Sequence, residues 1–153
     1  HFAIRRQRQM CIRDRITALL AASARLGAPI GHDFCVINLS DNLKSWDILK
    51  SRVIAAAKAD FVIAFYNPRS KSRKNQLSEI YDVLRKNCKS DRIVIYANSI
   101  STESEAVFET TLSEADASSV SMKTLVIIGS SRTKKIRNTG YIYTPRYSGV
   151  EKN

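Results

Sequence analysis

The sequence predicts an α/β fold, a sheet with helices on its faces, and three observations carry that prediction. Short apolar segments alternate with stretches of helical periodicity, the order in which strands and helices build a layered domain. One segment, Phe61 to Phe65, is apolar without alternation, as expected of a strand buried on both faces. Turn residues stand where strands should stop, with Tyr66-Asn67-Pro68 after that segment and Gly129-Ser130-Ser131 after residues 123–128.

Taken in order, residues 1–15 (HFAIRRQRQMCIRDR) show little periodicity, no cap and dense positive charge. They are expected to be a disordered arm or a leader foreign to the fold. A helical pattern then starts abruptly, with Ile16, Leu19, Leu20, Ser23 and Ala24 on one face and Gly27 then Pro29 closing it. A helix at full strength just past such a leader suggests that something upstream is missing. Residues 33–39 (DFCVINL) fit a strand, and Ser40-Asp41-Asn42 a turn whose side chains bond nearby backbone. Ser45 is placed to cap a helix from Trp46 to about Ala59, with Trp46, Leu49, Val53 and Ala57 on one face. After the strand at 61–65, an amphipathic helix is expected from about Ser72 to Lys86, its apolar positions being Leu77, Ile80, Tyr81 and Leu84. Residues 93–97 form another strand. Residues 107–112 fit a strand or a helix end, 113–119 a loop or one helical turn, and 123–128 a strand. The tail from Arg132 is basic and turn-rich, with a short aromatic strand at 141–143.

At 153 residues the chain is one domain or a large piece of one. Scarce Pro and Gly exclude collagen-like and low-complexity classes. No apolar run approaches a membrane span, and the arginine-rich start lacks the apolar core of a secretory signal. The cytoplasm is the expected location. Of the net charge of +11, +4 lies in residues 1–15, where five arginines meet one aspartate. The remaining excess favours an anionic partner, whether nucleic acid, anionic lipid or a polyanionic small molecule. Cys11, Cys35 and Cys88 are far apart, with no CxxC or Cys/His ligand spacing. They read as inert thiols, and no metal site is expected.

Glycine-rich nucleotide loops (GxGxxG, GxxxxGK[ST]) and a GxSxG elbow are absent from the sequence. His1 and His32 are too few for a standard triad, and His32 reads as a loop histidine. The best candidate for chemistry is Asn67–Lys74, because the carboxyl end of a strand is where open α/β sheets bind ligands. Arg69, Lys71, Arg73 and Lys74 crowd the expected helix start, where the macrodipole prefers acids by about 0.3–1 kcal/mol each. Two readings stand: a solvated basic face capped by Ser70 or Ser72, or an anion site for a carboxylate or phosphate. A second cluster, Arg132, Lys134, Lys135 and Arg137, follows Gly129. If both strands ran parallel, the two clusters would converge on one rim.

The pieces ITALLAASARLGAPIGHDF (16–34), INLSDNL (37–43), ADFVIAFYNPRSKSR (59–73), SMKTLVIIGSSRT (121–133) and YTPR (143–146) together resemble the precorrin-3B C17-methyltransferases. Those are a branch of the S-adenosylmethionine-dependent tetrapyrrole methylases. The resemblance runs in order from about Ile16 to Tyr147. It implies two α/β domains with the cofactor in the cleft between them, and this chain resembles the C-terminal domain and the linking helix. Residues 16–147 would form that domain, a mixed, mostly parallel sheet flanked by helices, with 148–153 as a tail. The GxGPG and GDPG-like loops of the other domain are absent, and Asp14-Arg15 replaces the family's Pro-Gly.

Carried over by position, Thr17 and Ala18 would touch S-adenosylmethionine at the start of the linking helix. Tyr66 and Asn67 would line it, Ile100 would approach through its backbone, and Thr124 and Leu125 would lie against the adenine. A plain core strand explains Thr124 and Leu125 as well, and turn formation explains Asn67. The implied chemistry is methyl transfer to C17 of precorrin-3B with ring contraction, in cobalamin biosynthesis. Arg69, Lys71 and Arg73 are candidates to meet the substrate's acetates and propionates. No catalytic acid or base is assigned; Asp41 competes with a simple turn role. The expected partner is a polycarboxylate tetrapyrrole, with no membrane and no nucleic acid, and a homodimer is left open. By itself the chain is expected to be an inactive fragment. The alternatives are another tetrapyrrole methylase, or a basic nucleic-acid-binding α/β module resting on the +11 charge and the arginine arm.

Overall fold

The computed structural model describes residues 17–40, 44–69, 74–118 and 120–146. Helix α1 (Ala18–Leu26) begins at Thr17, whose side chain accepts from the Leu20 N–H, and stops at Gly27, which is left-handed at φ +113. Its buried residues are Leu19, Ala22, Ser23 and Leu26, an i, i+3, i+4, i+7 stripe. Leu20 is 51% exposed and Ala24 is exposed too. The stripe is therefore turned from the face expected on counting from Ile16, which lies outside the described residues.

Strands β1 (Gly27–Ala28) and β2 (Phe34–Asn38) follow. Helix α2 (Trp46–Lys58) starts at its Ser45 cap, which accepts from the Ile48 N–H. Strand β3 (Val62–Tyr66) leads to helix α3 (Gln76–Asn87). That helix starts about four residues later than the periodicity predicts, so Lys74 precedes it and its first turn carries Glu79. The macrodipole favours an acid at that place. Residues 70–73, with the proposed caps Ser70 and Ser72, lie outside the described residues, as do residues 1–15, Asp41 and the tail 148–153. Strands β4 (Ile93–Asn98), β5 (Ala106–Thr111), β6 (Thr124–Ile128), β7 (Lys134–Lys135) and β8 (Ile142–Tyr143) complete the order.

Five strands form one sheet in the order β2-β3-β6-β4-β5, and β1-β8-β7 form a smaller one. In the large sheet β2 and β3 pair in parallel, while β3–β6, β6–β4 and β4–β5 are antiparallel. The sheet is mixed and flanked by helices, but mostly parallel it is not by pairing. Strands β2, β3 and β4 share a direction, yet β6 is inserted between β3 and β4 against both. Strand β5 returns beside β4 after a short connection, which an antiparallel pair permits and a parallel one does not. Because β3 and β6 oppose each other, the residues after Tyr66 and those after Ile128 leave from opposite rims. The two basic clusters do not converge.

The central strands β3, β6 and β4 are buried on both faces, while the edge strands β2 and β5 are largely exposed. On one, α2 and α3 lay Leu49, Val53, Leu77, Ile80 and Leu84 on Ile63, Phe65, Val94 and Val126. On the other, α1 lays Leu19, Ala22 and Leu26 on Val62, Ala64, Ile95, Ala97, Leu125 and Ile127, and Ile142 of the small sheet joins them. Among the described residues, no helix is long and apolar enough to cross a membrane, and no group of three or more His, Cys, Asp or Glu side chains could hold a metal ion.

Candidate functional site

The insertion of β6 builds a rim from three elements, the carboxyl ends of β3 and β4 and the amino end of β6. Asn98 lies opposite Thr124, and Ala97 opposite Leu125. The ladder continues one step further, where the Ser99 N–H donates to the Lys123 carbonyl at 3.1 Å. Thr124 is buried, 4% exposed, with its hydroxyl 3.4 Å from Asn98 Oδ1. Strand β3 brings Tyr66 to the same edge, and its hydroxyl accepts from the Leu19 N–H at 2.9 Å. That N–H is one of the first-turn donors a helix cannot satisfy internally. The contact fastens the start of α1, with exposed Thr17 and Ala18, over the end of β3.

Backbone strain gathers at this rim. Asn67 is left-handed at φ +50, and Ser99 and Ser101 stand at +48 and +62 on either side of Ile100. Asparagine tolerates that region through local hydrogen bonding, and Asn67 Nδ2 donates to Asn38 Oδ1 at 3.1 Å, tying the ends of β2 and β3. Serine has less to offer, so each costs about 1–3 kcal/mol unless its surroundings hold it. The Glu105 carboxylate does so for Ser101, accepting its N–H at 2.8 Å, while its other oxygen takes Arg25 Nε of α1, also at 2.8 Å. Arg25 is the first cause that holds the Glu105 carboxyl below the usual range, with the Ser101 N–H next.

All seven residues expected to meet the cofactor border this rim, and Tyr66, Ile100 and Leu125 pack into the same apolar cluster as α1. Hydroxyls and amides from Thr17, Tyr66, Asn67 and Thr124 beside the apolar Ile100 and Leu125 suit a molecule with a flat aromatic part and a polar zwitterionic part. The residues present thus fit S-adenosylmethionine. The expected substrate contacts are placed less evenly. Arg69 Nη1 is held by the carbonyls of Ala117 and Ser118, at 2.9 and 2.5 Å, on the connection between β5 and β6. Lys71 and Arg73 lie outside the described residues. Glu105 and Arg25 were not foreseen, since they stand 80 residues apart and no local pattern marks either one. Cys35 and Cys88 are half-buried free thiols, and burial pushes both upward in pKa. That is the behaviour of unreactive cysteines.

A mixed sheet with a strained, polar strand-end rim under a helix N-terminus agrees with the family comparison. Residues 15–116 match the model of the tetrapyrrole (corrin/porphyrin) methylases, and the chain belongs to that family. Over 142 residues it is 44% identical to the precorrin-3B C(17)-methyltransferase of a Sinorhizobium species, a match covering 91% of this chain and 56% of the relative. It is 40% identical over 118 residues to the cobalt-factor III methyltransferase of Priestia megaterium, covering 77% of this chain and 22% of that one. The crystal structure of the methyltransferase CobJ is similar in fold, with a TM-score of 0.81 at 45% identity over 85% of this chain and 54% of that chain. The chain spans about half the length of the Sinorhizobium protein and of CobJ.

Proposed function

We propose that this chain serves S-adenosylmethionine-dependent methyl transfer to C17 of precorrin-3B, with contraction of the macrocycle, in cytoplasmic cobalamin biosynthesis. The observation that carries this reading is the 44% identity, spread over 91% of the chain, to a protein named for that transfer. Residues 16–147 supply the C-terminal α/β domain with its linking helix, and one wall of the cleft. When bound, the cofactor supplies an electrophilic methyl group on its sulfonium.

The protein's part is to hold and orient. Thr17 and Ala18 meet the cofactor from the start of α1, and Tyr66 and Asn67 from the end of β3. Ile100 offers backbone groups, and Thr124 and Leu125 form the surface for the adenine. Fixing donor and acceptor in one geometry accounts for much of such a rate enhancement. Arg69, which also anchors the β5–β6 connection, is proposed together with Lys71 and Arg73 to meet the acetates and propionates of the substrate. A cobalt-containing ring is the second substrate supported, on the likeness to a relative named for cobalt-factor III.

Calorimetric titration tests the reading. The 153-residue chain is expected to bind S-adenosylmethionine weakly and to show no turnover by itself, since it supplies one wall. Ala18→Trp, which puts a large ring on the exposed start of α1, is expected to abolish that binding. No binding at all would sink the cofactor assignment, and binding that survives Ala18→Trp would move the site elsewhere.

A further inference from the structure

We propose that Glu105 is the positioning residue of this rim: it holds the turn at 99–102 in the shape that sets the chain's affinity for the cofactor. The inference rests on the cofactor reading above and adds to it a residue that touches no ligand.

One carboxylate has two partners on two segments of the chain. Oε1 takes Arg25 Nε and Oε2 takes the Ser101 N–H, each at 2.8 Å. The Glu105 side chain is 20% exposed, against 72% for Arg25. Helix α1 is thereby fastened at both ends, by the Tyr66 hydroxyl on the Leu19 N–H and by Arg25 on Glu105. Those two fastenings lead to the two strand ends that carry Tyr66-Asn67 and Ile100.

Ile100 presents its backbone from between two left-handed serines, a conformation a serine leaves when nothing holds it. Ser99 is held by the Lys123 carbonyl, and its own carbonyl takes the Thr102 N–H at 3.1 Å and the Thr102 hydroxyl at 2.7 Å, which closes the turn. The peptide group between Ile100 and Ser101 is held by Glu105, so without the carboxylate that group, the Ile100 carbonyl included, turns within the closed turn and away from the rim. The two contacts of Glu105 separate chemically. Glu105→Gln keeps an acceptor oxygen for the Ser101 N–H, while its NH2 faces the Arg25 N–H and gives up that bond, to a largely exposed partner from which little is expected.

The experiment measures amide hydrogen exchange at 99–102 without cofactor, and S-adenosylmethionine affinity by calorimetry, on the full 153-residue chain. Glu105→Ala is expected to speed exchange at 99–102 and weaken binding, each by about tenfold, as the loss of one charge-assisted hydrogen bond implies. Glu105→Gln should return both to within about threefold of the original chain. Ser45→Ala, which removes the distant α2 cap, should lower overall stability and leave both readouts unchanged. Exchange in Glu105→Ala equal to that of the original chain overturns the hold on the turn. Faster exchange with unchanged affinity overturns its link to the cofactor, and failure of Gln to rescue overturns the acceptor role. An original chain that binds no S-adenosylmethionine overturns the cofactor reading and the affinity claim together, while the exchange measurement still decides whether Glu105 holds the turn.

Discussion

Asp60 sits at φ +60, two residues before β3 begins, and its carboxylate gathers three groups from two other segments. Oδ1 accepts from Arg92 Nη2 at 2.7 Å and from the Ser131 N–H at 2.8 Å, and Oδ2 accepts from the Ser131 hydroxyl at 2.6 Å. Arg92 is 7% exposed, its contacts to the Gly129 and Ala57 carbonyls are long at 3.4 and 3.5 Å, and its Nε has no partner. A buried guanidinium this dependent on one carboxylate makes the removal of that carboxylate expensive. Asp60→Ala is expected to cost about 3–5 kcal/mol, because it strands a buried charge and places alanine in the left-handed region. Asp60→Asn keeps an acceptor and a residue type that tolerates positive φ, and is expected to cost about 1–3 kcal/mol. Urea unfolding of the two variants measures both. A midpoint for Asp60→Asn equal to that of the original chain would show that the charge contributes nothing.

Between elements, polar pairs set the docking of helix on sheet as much as apolar area does. Tyr81 of α3 donates to the Tyr96 hydroxyl of β4 at 2.9 Å, and Tyr96 donates to the Asp116 carbonyl at 3.2 Å. One turn along α3, Arg85 reaches the Leu112 and Ala115 carbonyls at 3.0 and 2.8 Å, so the β5–β6 connection is clamped onto the same helix. Burial, ahead of the hydrogen bond it donates to its partner, pushes Tyr81 far above the ordinary phenol value, and burial pushes Tyr96 up as well. A raised phenol pKa means that the fold favours the neutral form. This contribution is fully present below the unfolded phenol pKa of about 10 and is lost as pH rises beyond it. Phenolate absorbance from these two residues is expected to appear only together with alkaline unfolding. Tyr81→Phe should weaken the dependence of stability on pH in that range. Phenolate forming while the chain stays folded would refute the pairing.

Element limits were legible where the cue was local. Ser45 caps α2 because a serine stands one residue before a helical stripe, and β3 shows as an unbroken apolar run. The sheet order was not legible, since nothing inside residues 123–128 says that they enter between β3 and β4. Nor were β1 and β7, two residues each, whose existence depends on pairing with β8, as in Gly27 with Ile142. At the site, the turn at Tyr66-Asn67-Pro68 announced itself as a strand end. Its companions came from family resemblance, and Glu105 from neither, because its role exists only once α1 and the β4–β5 turn have met.

Across the whole molecule the two faces of the sheet are closed differently. One is covered by two helices, while the other relies on α1 and on the small sheet that brings the C-terminal segment back to the turn after α1. Thr144 makes that junction: its N–H donates to the Ala28 carbonyl at 2.9 Å, its hydroxyl to the Pro29 carbonyl at 2.5 Å, and it lies 2.8 Å from the Thr133 hydroxyl. Gly31 sits against it so closely that a Cβ would stand 2.6 Å from the Thr144 carbonyl oxygen and 3.1 Å from that of Ala28. Both are backbone atoms, so neither can swing aside. Gly31→Ala must open the junction, at a cost of about 1–3 kcal/mol, which for a domain of this size lowers Tm by about 2–12 °C. Because α1 runs straight into β1 through Gly27, its amides should exchange faster in this variant while those of α2 and α3 keep their protection. Gly140→Ala is the comparison. It adds a Cβ that meets nothing within 4 Å at φ +74, so it should show backbone strain of about 1–2 kcal/mol and no local loosening of α1. If α2 and α3 lose protection along with α1 in Gly31→Ala, the two faces unfold as one unit, and the separate closure argued here is wrong.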